Sequence, residues 1–132
     1  MRYMLDTNIC IYLMKAHPPE ALARLALLDY GDAVMSIITY AELRVGLEGL
    51  DATRAQNERA LNLLTTDIPV LPFDVAAAER YGILRAAVRD RRRDALDRLI
   101  AAHAASLGLT LVTNNEADFA DYPGLLVENW VK

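Results

Sequence analysis

The chain has 132 residues, 54% of them hydrophobic and 24% charged, and a formal net charge of −4; this predicts one folded domain over 1–132 and excludes a disordered chain. No apolar run approaches the ~18 residues of a membrane span, and one cysteine, Cys10, excludes an internal disulfide and, with two histidines, a zinc-type cluster. The acidic excess argues against nucleic-acid binding by bulk charge unless the acids are gathered in one place.

Residues 2–5 (RYML) read as a short strand running into Asp6, too short for a secretory signal. Helical spacing follows from Asn8 to Met14, with Cys10 expected as a small buried apolar residue in a cytoplasmic protein. Pro18 and Pro19 interrupt it and open a helix over 20–28; Tyr30, Gly31 and Asp32 make a turn. Residues 33–36 (AVMS) read as a buried strand and 37–49 as a helix. Asp51 is placed to cap a helix over 52–65. Residues 68–71 (IPVL) have strand composition, and Pro69 suggests an edge or a strand start. Phe73 and Asp74 open an alanine-rich helix over 75–90. Asp94 starts another that runs to about 107, with Gly108 as its stop. Residues 110–113 (TLVT) are the clearest strand, and 125–127 the last. Strands separated by helices predict an α/β three-layer sandwich: a mainly parallel central sheet of four to five short strands with helices on both faces.

In such a sheet, ligands collect beyond the carboxyl ends of the strands. Asp6 follows the first strand, and Glu42 lies one to two turns into the helix after the second. Asn114, Asn115 and Asp118 follow the fourth. Asp97 is near the start of the helix leading into that strand, and an antiparallel helix–strand pair puts this start at the same end. Grouped carboxylates repel, so without a cation at least one has its pKa raised. A hard dication removes the penalty, and oxygen donors favour Mg²⁺ or Mn²⁺. Beside a phosphodiester, such an ion activates water and neutralises phosphoryl charge. Each acid also has a plainer reading. Asp6 would be a helix cap, Glu42 a solvated helix residue, Asp94 and Asp97 a helix-start pair, and Asp118 a turn residue. His103, six positions after Asp97, falls roughly on the opposite side of its helix and is expected packed and hydrogen-bonded. His17 is expected exposed.

The stretches MLDTNICIYLM (4–14), SIITYAEL (36–43), LDRLIAAHA (96–104), LTLVTNNEADF (109–119) and GLLVENW (124–130) together resemble the VapC toxins of the PIN-domain nuclease family, over essentially the whole chain. The resemblance implies a PIN-like fold and a metal-dependent endoribonuclease. It would be the toxic component of a type II toxin–antitoxin system, cleaving structured RNA (a tRNA or a ribosomal RNA loop) by metal-activated water. It implies Asp6, Glu42 and Asp97 as the first three catalytic acids, with Asp6 and Asp97 holding Mg²⁺ and Mn²⁺ able to substitute. Asp118 is preferred as the fourth, with Thr7, Asn8 and Asn115 as supporting polar residues. A VapB-type antitoxin covering the site is implied too, as are homodimers, toxin–antitoxin hetero-oligomers and operator DNA reached only through the antitoxin.

One stretch departs from the family. Where relatives carry a glycine-containing loop of the form GRPIG, this chain has DRRRD at 90–94, about two residues shorter. Asp94 then competes with Asp97, which alone keeps the family's offset to LIAAHA. Arg91, Arg92, Arg93 and Arg98, with Arg89, read either as grips for RNA phosphates or as a solvated helix end. Leu25, Leu28, Leu61 and Leu64 read either as core or as an apolar groove for an amphipathic antitoxin helix. The competing function is a non-catalytic partner in an antitoxin-containing, DNA-binding repressor complex. Cleavage of RNA by the purified protein separates the two.

Overall fold

The structure, a computed structural model, describes residues 1–49, 52–88 and 95–131. In chain order it contains β1 (Tyr3–Leu5), α1 (Thr7–Lys15), α2 (Pro19–Ala26), β2 (Ala33–Ser36), α3 (Ile37–Glu48) and α4 (Arg54–Asp67). There follow β3 (Val70–Leu71), α5 (Val75–Ala87), α6 (Ala95–Ser106), β4 (Thr110–Val112) and β5 (Leu126–Glu128). The five strands form one sheet in the order β3-β2-β1-β4-β5, each parallel to its neighbours.

Strand alternation builds the two faces. Met4, Val34 and Leu111 point into one core with Leu84 of α5 and Ile100 of α6. Their neighbours Leu5, Met35 and Val112 point into the other, with Ile9, Leu13 and Leu61 of α1 and α4. Adjacent strand residues point to opposite faces, so each short apolar run supplies both layers. Trp130 closes the second core at 2% exposure, edge-on to Tyr3 at 5.4 Å.

Most predicted elements stand within two residues of their expected limits. Pro69 precedes β3, which is an edge strand as its composition requires. Gly108 ends α6 with φ +68°, a left-handed conformation that glycine adopts without a Cβ clash. The last strand is shifted by one residue, because Leu125, Leu126 and Val127 carry no alternation to set its limits; pairing of Leu111 with Val127 sets them instead. A 3₁₀ turn over Glu116–Asp118 was not expected, since three residues are too few to leave a periodic signal. Asp51, Asp90 and Asp94, expected at helix ends, lie outside the described residues. Cys10 is fully buried and His17 is exposed.

Candidate active site

The direction in which strands are added to the sheet reverses between β1 and β4. From β1 the chain builds outward through β2 to β3, while β4 and β5 occupy the other side. A crevice beyond the carboxyl ends at such a switch point is where open parallel sheets bind ligands. Asp6 follows β1 there and Thr113 follows β4; Asp6 N donates to Val112 O at 3.0 Å, which locks the two strand ends together.

Asp6 is the N-cap of α1, its Oδ1 accepting from Ile9 N at 3.0 Å. Its side chain is also buried, at 7% exposure. Burial raises its pKa above the usual carboxylate value; the Thr113 hydroxyl and the backbone N–H groups of Ile9 and Asn8 oppose that rise, and the negative charge of Glu42 adds to it. Glu42 projects from the second turn of α3, where Thr7 Oγ1 donates to its Oε1 at 2.7 Å. Asp6 and Glu42, distant in sequence, therefore stand together as a repelling pair.

Thr7 was expected to support Asp6, but its hydroxyl has one proton, and that proton goes to Glu42. Asn8 supports Asp6 through its backbone N–H, with its side chain exposed. The residue that sequence reasoning missed is Thr113. It donates to Asp6, and its Oγ1 accepts from Asn115 N at 3.0 Å. The available signal was a polar side chain ending the apolar run TLVT at the same rim. Asn115 also donates its side-chain amide to Asp118 Oδ2. Asp118 is exposed in the 3₁₀ turn, one bonded step beyond Asn115.

Asp97 lies in the first turn of α6, half-buried. A link of three residues, 107–109, joins α6 to β4, against which it packs, so the helix runs back along the strand and begins at the carboxyl rim. Arg98 is corrected: at 4% exposure it is inside the fold and not a surface for phosphate. The reason is that α6 is covered on nearly all sides, with Ile100 to Ala105 also buried. Arg89, Arg91, Arg92 and Arg93 lie outside the described residues. Among the described residues, His, Cys, Asp and Glu side chains do not converge in a group of three. The observed donors still suit a hard dication. A buried carboxylate repelled by a second one gains most from a cation, and Mg²⁺ uses one or two carboxylates while keeping several waters.

A groove of about 200 Å³, lined by Ile11, Met14, Leu43 and Leu47, opens beside Glu42. Of the four leucines expected as core or groove, Leu61 and Leu64 are buried core; Leu25 and Leu28 are half-buried against it and, with Leu64, line depressions by α2.

The sequence matches the PIN domain family over residues 3–125. It is 36% identical to "Ribonuclease VapC2" of Rickettsia felis over 135 aligned positions, covering 100% of both chains. It is also 36% identical to "tRNA(fMet)-specific endonuclease VapC" of Shigella flexneri, covering 98% of each. Among solved structures, VapBC2 of Rickettsia felis, bound to a DNA fragment from its promoter, superposes with a TM-score of 0.90 at 34% identity, covering 98% of this chain and 99% of that one.

Proposed function

The chain belongs to the PIN-domain family, and from that membership we propose that it is an endoribonuclease, the toxic half of a type II toxin–antitoxin pair acting on a structured tRNA or ribosomal RNA. Support comes from full-length similarity to proteins named ribonuclease and endonuclease. PIN-domain ribonucleases generally depend on a divalent metal; here the ion is assigned as Mg²⁺, with Mn²⁺ able to substitute. The observation that carries the reading is the buried Asp6 carboxylate at the sheet's switch point with Glu42 beside it.

Asp6 and Asp97 would hold the ion, with Glu42 and Asp118 completing the acidic rim. Bound there, Mg²⁺ would supply positive charge for the phosphoryl oxygens and lower the pKa of water. Hydrogen bonds from Ile9 N and Thr113 hold the Asp6 carboxylate in one orientation. Thr7 occupies Glu42 Oε1 and leaves Oε2 to orient water or accept its proton. Asn115 supports the rim through Thr113 and Asp118.

The neutralising partner is a VapB-type antitoxin, whose apolar side chains fit the groove beside Glu42. Complexes like that of Rickettsia felis support a toxin–antitoxin hetero-oligomer that reaches operator DNA only through the antitoxin. Homodimerisation and a cytoplasmic location belong to the same reading; no helix among the described residues is long and apolar enough to cross a membrane.

Asp6→Asn tests it. Asparagine caps a helix as well as aspartate does, so α1 is kept while the charge is removed. Loss of several kcal/mol of transition-state stabilisation lowers cleavage by about 100-fold or more. The variant should still bind antitoxin. A folded variant that cuts RNA at the parental rate overturns the assignment.

A further inference from the structure

His103 is a buried titratable group that the chemistry above does not use. It lies in the middle of α6 at 2% exposure, and its Nδ1 is 2.7 Å from Ser36 Oγ. The Phe73 ring stands edge-on to it at 5.4 Å, and the Pro72 carbonyl accepts a hydrogen bond from the imidazole. Asp74, the N-cap of α5, is the charged group facing it.

The proton positions follow from these partners. Burial pushes the imidazole pKa below its usual value, so the ring is neutral and has one N–H. Nδ1 faces Ser36, so Nε2–H is the group that reaches Pro72. Nδ1 is therefore an acceptor, and the Ser36 hydroxyl donates to it. Ser36 Oγ in turn accepts from Ile38 N at 3.1 Å, which makes Ser36 the N-cap of α3. Ser36 is itself completely buried and is the last residue of β2. One directional chain of hydrogen bonds thus joins the start of α3, the middle of α6 and the link between β3 and α5.

Both helices joined by the Ser36–His103 bond carry an acid of the proposed site. Glu42 is six residues beyond Ser36 on α3, and Asp97 is six residues before His103 on α6. Each is about 9 Å of helix axis from the Ser36–His103 bond. The two helices pack on each other, so a shift at the bond moves both carboxylates relative to one another. We propose that His103 is a positioning residue: through Ser36 it holds the start of α3 against α6 and thereby sets Glu42 against Asp97. This rests on the reading of that acidic rim as a Mg²⁺ site.

The test uses the full chain, stripped of metal, in three variants. Ser36→Ala deletes the bond by removing one oxygen. His103→Leu deletes it while keeping bulk. His103→Asn keeps an acceptor, Oδ1, where Nδ1 stood. Circular dichroism establishes folding, and calorimetric titration with Mn²⁺ measures uptake independently of activity. The expected result is a loss of Mn²⁺ affinity of about tenfold in Ser36→Ala and His103→Leu, at the low end for residues that orient metal ligands. His103→Asn should recover most of it. The Mg²⁺ concentration for half-maximal cleavage should rise in step, with a smaller change in rate at saturating Mg²⁺. The double variant Ser36→Ala/His103→Leu should lose less affinity than the two single losses added together, since both remove the shared Ser36–His103 bond; full additivity overturns the proposal. A purely packing role would lower the melting temperature and leave Mn²⁺ affinity alone; that result overturns the proposal. Ser36→Ala carries the test if His103→Leu does not fold. A parent protein that takes up no Mn²⁺ overturns the metal-site reading and this proposal with it, whereas equal uptake by parent and folded variants overturns this proposal alone.

Discussion

Asp6 combines two features that usually fall to separate residues. One oxygen caps α1, and the carboxylate is buried beside Glu42, a cost that the Thr113 hydroxyl and the backbone N–H groups of Ile9 and Asn8 offset only in part. Capping therefore does not compete with the proposed metal-ligand role; it fixes where the carboxylate stands. His103 shows the other outcome for a titratable side chain, because its polar atoms are consumed inside the fold. Its lowered pKa has a definite consequence for stability. The unfolded chain takes up a proton on this imidazole below about pH 6.5, and the folded chain does so only at lower pH. The stability it contributes is present above that value and is lost as pH falls through the folded one. Urea midpoints at pH 7.5 and 5.5 should therefore separate more for the parent than for His103→Asn. Equal separation would assign the acid sensitivity to other groups. That His103 is packed was legible from its angle to Asp97 on the helix; that Ser36 is its partner was not, because the two are 67 positions apart.

At the scale of elements, caps make the turns at the carboxyl rim short. Asp6, Ser36 and Asp74 each serve as N-cap, and at Asp6 and Ser36 the cap directly follows or ends a strand. Ser36 is at once the end of a strand and the cap of a helix, so β2 and α3 share one fixed junction. The strands are short and almost entirely apolar, and burial decides what each position contributes. Leu111, in β4, is fully buried, whereas Leu126, in the adjacent β5, is 64% exposed. Leu111→Ala should cost about 2–5 kcal/mol by transfer and cavity. Leu126→Ala should stay within about 0.5 kcal/mol of the parent. Chemical denaturation of both variants checks the contrast, and similar losses would contradict the strand's placement at the sheet edge. These two leucines look alike in sequence. Edge and centre are properties of strand order, which involves segments that the local pattern does not connect.

For the whole molecule, net charge and local charge point in different directions. The chain carries −4 yet is proposed to bind a polyanion. Arg98 is buried and leaves that role; for Arg91, Arg92 and Arg93 the two readings, a grip for phosphates and a solvated helix end, make opposite predictions. Replacing those three with alanine takes the net charge from −4 to −7. If all three touch phosphate, the slope of log affinity against log salt for single-stranded RNA should flatten by about 2. Filter binding of an inactive Asp6→Asn background from low to moderate salt measures it. An unchanged slope would return the arginines to the status of a solvated charge run.

The order and kind of the elements were determined by the sequence alone. Apolar alternation, cap residues and proline or glycine breaks act over a few residues, and each pointed to the same parallel α/β arrangement. The meeting of Asp6 and Glu42 was legible to the same extent, since a strand's carboxyl end can be read off without knowing its neighbours. Only the tertiary structure decided which oxygen meets which: Thr7 bonded to Glu42, Thr113 to Asp6, and His103 to Ser36. Those pairings join segments from 35 to more than 100 positions apart, and distances of that kind are set by strand order, register and helix packing rather than by any local preference of the chain.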